Sequence, residues 1–102
     1  MESKSINRIK VVNTYIVTYD VSSDNGAQYV YEALYKTLRE YGTWARITES
    51  CWAICAECTA IEVRDNLRKH MRPYDRLVVV LSGNVGAWSN VRCDSKWLQE
   101  HL

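Results

Sequence analysis

The residue best placed for chemistry is Asp20. It closes Thr14-Tyr-Ile-Val-Thr-Tyr-Asp-Val21, a run of β-branched and aromatic residues that reads as a strand. The turn formers Ser22-Ser23-Asp24-Asn25-Gly26 follow at once, so the strand stops there and Asp20 faces a loop. A carboxylate in that position serves either as a ligand or catalytic group, or as a strand-end residue that hydrogen-bonds its own loop. Asp24 reads as a helix cap or turn residue. Arg46, on a second predicted strand, suits a phosphate contact or an ordinary solvated strand face. Arg64, Arg68, Lys69, Arg72 and Arg76 trace a possible basic edge, but Glu62 and Asp65 interleave with them as on any charged helix surface. His70 and His101 have no acidic or nucleophilic companion at a telling spacing and read as surface residues.

Four cysteines raise the question of metal or redox chemistry. Cys55-Ala56-Glu57-Cys58 is a true C-x-x-C, but no second copy accompanies it. On a strand, Cys51 and Cys55 stand about 13 Å apart, too far to share a zinc ion or form a disulfide. Free, mostly buried thiols in a reducing compartment are the expected reading.

The elements that position these residues follow from periodicity. Residues 1–13 mix charge with apolar groups; the first few are expected to fray, while Ile9, Val11 and Val12 lead into the first strand. From Ala27 to Tyr41, the apolar positions Val30, Ala33, Leu34, Leu38 and Tyr41 form one helical face, and Gly42 ends it. Thr43 to Glu57 alternates as a hairpin turning at Glu49-Ser50, with one bent strand as the other possibility. Thr59-Ala-Ile-Glu62 has the spacing of a capping box, predicting a second helix whose inner face is Ala60, Val63, Leu67 and Met71 and which Arg72-Pro73 closes. Tyr74 to Ser82, with Leu-Val-Val-Val-Leu at its centre, predicts a strand buried on both faces. After the two-glycine turn Gly83-Asn-Val-Gly86, Asp94 caps a short helix, about Ser95 to His101, that turns Trp97 and Leu98 inward. Trp52 belongs to the core; Trp44, Trp88 and Trp97 suit either core or interface.

The order strand, helix, strand, strand, helix, strand predicts an α+β, ferredoxin-like β-α-β-β-α-β fold over a single domain of residues 1–102. Its core spans about 14–83, with a C-terminal tail at 84–102. A chain of 102 residues buries roughly 65% of its unfolded surface, enough for one core. Two helices on one face leave the other face of the antiparallel sheet apolar and uncovered, which predicts a homodimer. A net charge of +1 argues against a strongly electrostatic hold on nucleic acid, though a local patch is compatible with it. No apolar run reaches a membrane span and no signal peptide is evident, so a cytoplasmic protein with no membrane contact is expected.

The strand Tyr15-Ile-Val-Thr-Tyr-Asp-Val21, the helix ending Leu38-Arg-Glu-Tyr-Gly42, the stretch Arg46-Ile-Thr-Glu-Ser-Cys-Trp52 and Asp75-Arg-Leu-Val-Val-Val80 together resemble the small CRISPR-associated adaptation protein, also called an endoribonuclease. The tail, with Trp88, Trp97-Leu98 and Glu100-His-Leu102, looks closer to the SinR-annotated proteins outside CRISPR loci, relatives of the VapD-type toxins and the GhoS-type antitoxin. The resemblance implies a ferredoxin-like homodimer in which Asp20 meets its symmetry mate and holds a magnesium ion that activates water against a phosphodiester. Ser22, Ser23 and Asp24 would orient waters or a phosphate. That family usually follows its Asp with Arg or Lys, whereas Ser22 to Gln28 carries no base. Three function classes follow: a magnesium-dependent nuclease or its degenerate descendant, a non-catalytic module binding nucleic acid or protein, and a toxin or antitoxin component.

Overall fold

The computed structural model describes residues 11–102. Its elements are β1 (Asn13–Asp20), α1 (Ala27–Arg39), β2 (Thr43–Thr48), β3 (Cys51–Ala56), α2 (Ala60–Arg68), β4 (Arg76–Leu81) and α3 (Ser95–His101). The strands form one antiparallel sheet ordered β2-β3-β1-β4, the ferredoxin-like arrangement that the element order predicts. The expectations for Ile9 and the residues before it lie outside the described region. Val11 and Val12 precede β1 and are exposed.

Alternation decides which side chains meet the helices. Tyr15, Val17 and Tyr19 of β1 and Trp52, Ile54 and Ala56 of β3 point to one face. There they pack against Val30, Leu34 and Leu38 of α1 and Val63 and Leu67 of α2. Each fully buried Leu or Val contributes about 1.5–3 kcal/mol, so this layer dominates the favourable side of folding. The polar tips of its rings are satisfied internally. Tyr15 donates to the Cys58 carbonyl at 2.6 Å, while the Tyr19 hydroxyl accepts from the Trp52 indole at 2.9 Å and donates to the Glu49 carbonyl at 3.2 Å.

Local chemistry sets the boundaries. The Thr59–Glu62 capping box is formed in both directions, at 3.1 and 2.8 Å. The first residue before α1 is Gly26 at φ 97°, a left-handed conformation that suits glycine, and no side chain caps this helix. Asp24 is thus a turn residue, not a helix cap: its carbonyl accepts the Ala27 amide and its side chain points elsewhere. α2 stops at Arg68, short of the expected Met71 and Arg72. The amides of His70 and Met71 bond three residues back, tightening the last turn, and the Arg72 amide donates to Asp75 Oδ2 at 2.9 Å instead of continuing the helix.

Two expectations about the second face of the sheet are corrected. That face is not left uncovered: α3 lies across its β2–β3 half. Leu98 is buried, Trp97 Nε1 donates to Thr43 Oγ1 at 2.9 Å, and Ala45, Ala53 and Cys55 on this face are buried. The tail reaches it by running along the sheet edge, where the Arg92 amide donates to the Ile47 carbonyl at 2.9 Å. Nor is β4 buried on both faces. It is an edge strand, and Val78 and Val80 remain 54% and 48% exposed because they lie beyond the reach of α3. His101, the last residue of α3, is half-buried, stacked on Trp97 at 4.3 Å and bonded to the Trp97 carbonyl at 2.8 Å, so it is not the open surface residue its spacing predicts.

Candidate functional site

Asp20 stands at the tip of β1 on the face away from α1 and α2, opposite Arg76 of β4. Its Oδ2 accepts from Arg76 Nη1 at 3.2 Å, and both side chains are largely exposed, at 69% and 82%. A carboxylate in this setting offers a cation one anionic ligand and already faces a guanidinium. Among the described residues no group of three His, Cys, Asp or Glu side chains is placed to hold a metal. Magnesium commonly takes one or two carboxylates with waters, and Asp20 supplies one of these.

The loop beyond Asp20 is organised by a residue whose role the sequence reading misses, Asp75. Its side chain is fully buried. It accepts from the Ser22 amide at 3.1 Å and from the Arg72 amide, Nε and Nη2 at 2.9, 3.0 and 3.2 Å. Burial alone would raise its pKa. The Arg72 guanidinium and the two amides outweigh that effect and hold the carboxyl below its ordinary range. Arg72 in turn donates to Asp24 and to the Ser22 carbonyl, and lies over the Tyr74 ring at 4.9 Å. Arg68 completes the clasp by donating to the carbonyls of Asp75, Arg72 and Pro73. Asp24, Arg68 and Arg72 therefore serve to fasten the β1–α1 loop to the α2–β4 connection, and do not form a free basic edge. The only sequence signal for this clasp is an acid two residues after Pro73, flanked by arginines.

Arg46 occupies a second constellation, along the outer edge of β2. Its guanidinium lies 4.6 Å from the Tyr35 ring centre and 5.7 Å from that of Trp52, and Nη2 donates to the Tyr35 hydroxyl at 3.0 Å and to the Glu49 carbonyl at 2.7 Å. Its Nε is buried with no hydrogen-bond partner. Behind it Tyr19, Tyr31, Tyr35, Trp52 and Trp44 form a continuous aromatic layer, with successive ring centres 5.2–6.4 Å apart. In front, the tail brings Arg92 into an ion pair with the Glu49 side chain. Trp44, Ala45 and Arg46 from β2, Arg92, Cys93 and Asp94 from the tail and Trp97 from α3 line an open groove of about 350 Å³. Arg46 and Arg92 lie far apart in sequence, so only the closure of the tail against β2 joins them.

The four cysteines are free thiols. The C-x-x-C pair is divided by the sheet: Cys55 belongs to the face under α3, with Sγ 3.4 Å from Thr14 Oγ1, whereas Cys58 packs against the core beneath α1 and α2. Burial pushes the Cys51 thiol up, which keeps it protonated and unreactive.

No family model matches the chain, and no curated protein matches it significantly. No described helix is long and apolar enough to cross a membrane.

Proposed function

We propose that this chain is a divergent relative of the CRISPR-adaptation type that acts by binding nucleic acid, through the groove along β2, and not by cutting it. One observation carries the reading: Trp44 and Arg46 of β2 and Arg92 and Trp97 of the tail line one groove at the β2 edge, beside the single acid Asp94. Indoles stack on bases and guanidiniums hold phosphate, the two contacts that single-stranded nucleic acid requires. Glu49 engages both guanidiniums. Its carbonyl takes Arg46 and its carboxylate takes Arg92, so an incoming phosphate competes with that side chain. Asp20, held by Arg76, then has a structural part at the strand end rather than a magnesium-binding one.

The test is a binding titration with short single-stranded RNA and DNA, followed by tryptophan quenching and repeated over a range of salt. Two phosphate contacts predict a salt slope of about −1.4. Arg92→Ala weakens binding, Glu49→Gln strengthens it by removing the competing carboxylate, and Asp20→Ala leaves it unchanged. Absence of binding at low salt, or equal affinities in the Arg92 and Glu49 variants, refutes the groove. Magnesium-dependent cleavage that Asp20→Ala abolishes would put the nuclease reading in its place.

A further inference from the structure

The two edges of the sheet are treated in opposite ways. The β2 edge carries a bulge between Arg46 and Thr48, is met by the Arg92 amide at Ile47, and is flanked by the tail. These are the usual devices that keep a strand edge from pairing with another chain. The β4 edge has none of them. Leu77-Val-Val-Val-Leu81 is regular, holds no charge, proline or bulge, and no described residue pairs with its outer side.

We propose that β4 pairs antiparallel with β4 of a second copy of this chain, about a twofold axis passing through Val79, to make a continuous eight-stranded sheet. Two features bear on that register: one selects it among the allowed centres, the other limits which centres are allowed. The first is the apolar pattern. The run 77–81 has its midpoint at Val79, so a twofold there sets Leu77 opposite Leu81 of the copy and Val78 opposite Val80 of the copy. Every exposed apolar side chain of the strand then gains an apolar cross-strand neighbour. Arg76, the one charge of β4, falls opposite the neutral Ser82 of the copy and keeps its bond to Asp20. A twofold two residues earlier sets Arg76 against Val78; two residues later, it sets Val79 against Gly83.

The second feature is hydrogen-bond alternation. The Ser82 amide donates to the Thr14 carbonyl at 2.8 Å, in register with Tyr15 opposite Leu81. Backbone groups of Ser82, Val80 and Val78 therefore point inward to β1, and those of Leu77, Val79 and Leu81 point outward. A twofold at Val79 brings outward groups face to face at all three positions. A centre midway between two residues would set outward groups against groups already bonded to β1; centres on Val78 or Val80 keep outward groups together but break the apolar pattern, setting Arg76 opposite Val80 or Val78 opposite Ser82.

Amide exchange measured by NMR at two protein concentrations tests the pairing, and it is independent of the nucleic-acid reading. Protection of the Leu77, Val79 and Leu81 amides is expected to rise about tenfold for a hundredfold rise in concentration above the dissociation constant, as the monomer fraction falls with mass action. The Val78 and Val80 amides, already bonded to β1, stay protected throughout. Sedimentation then compares the parent with Val78→Lys/Val80→Lys, whose exposed side chains leave the protomer fold intact but set lysine opposite lysine. This variant is expected to be monomeric, and mixing it with Val78→Glu/Val80→Glu restores a dimer. A parent that is monomeric at every concentration overturns the proposal and leaves the edge to a strand of another protein. So does a dimer in which the Leu77, Val79 and Leu81 amides exchange at unchanged rates, the result expected if the sheets associated through their faces.

Discussion

Removing the buried carboxylate, by Asp75→Ala, is the perturbation whose size the structure sets most directly. The side chain accepts four hydrogen bonds, from the Ser22 amide and from the Arg72 amide, Nε and Nη2, with no exposure to water. Breaking a buried pair on one side typically costs about 3–5 kcal/mol, because the partner groups stay behind without acceptors. The lower end applies here. Arg72 keeps Asp24, the Ser22 carbonyl and the Tyr74 ring, and its side chain is 20% exposed. At about 3 kcal/mol, a domain of this size loses roughly 12–24 °C in Tm. Thermal unfolding followed by near-ultraviolet circular dichroism measures it, and Asp20→Ala, which removes an exposed ion pair, serves as the control with a cost under about 1 kcal/mol. The same carboxylate has an acid signature. Its folded pKa lies below the ordinary 3.8, so its contribution is complete at neutral pH. That contribution is lost as the pH falls below 3.8 toward the lowered folded value. Asp75→Asn should therefore flatten the acid limb of the stability curve. A loss under about 4 °C for Asp75→Ala, or an unchanged acid limb, would refute the clasp as the fastening of the β1–α1 loop.

Leu98→Ala, which empties the buried contact of α3 with the sheet, is expected to cost about 2–5 kcal/mol and to speed amide exchange in β2; equal exchange in the variant would show that the tail is not held by that contact. Thr59→Ala removes half of a formed capping box and should lower stability by about 1 kcal/mol in a urea titration, with an unaltered m-value. Spectrophotometric titration should reveal tyrosine ionising well above the ordinary 10.0, because burial raises Tyr19 and Tyr41. Raised folded values favour the neutral rings, so their contribution to stability is present below pH 10 and lost above it. Seven tyrosines all titrating normally before unfolding would contradict that packing.

The sequence determines most of the framework by itself, because its signals are local. β-Branched alternation places β1, the Val30–Leu34–Leu38 spacing places α1, and Thr59 with Glu62 starts α2, each through bonds or packing within a few residues. The order of elements then leaves the ferredoxin-like sheet as the economical arrangement. What local pattern cannot convey is which neighbour a residue finds across the chain. Leu77–Leu81 reads as buried on both faces because it is apolar throughout, yet its place at the sheet edge leaves Val78 and Val80 in water. Asp75 reads as part of the strand predicted over Tyr74 to Ser82, yet it lies before β4, where the fold brings the amide of Ser22, 53 residues away, to its carboxylate. The Asp20 carboxylate is legible at the strand tip, but its ion pair with Arg76 depends on β1 and β4 being neighbours. Arg46 and Arg92 become one groove only because the tail folds back along β2, and that closure rests on long-range contacts that no periodicity records.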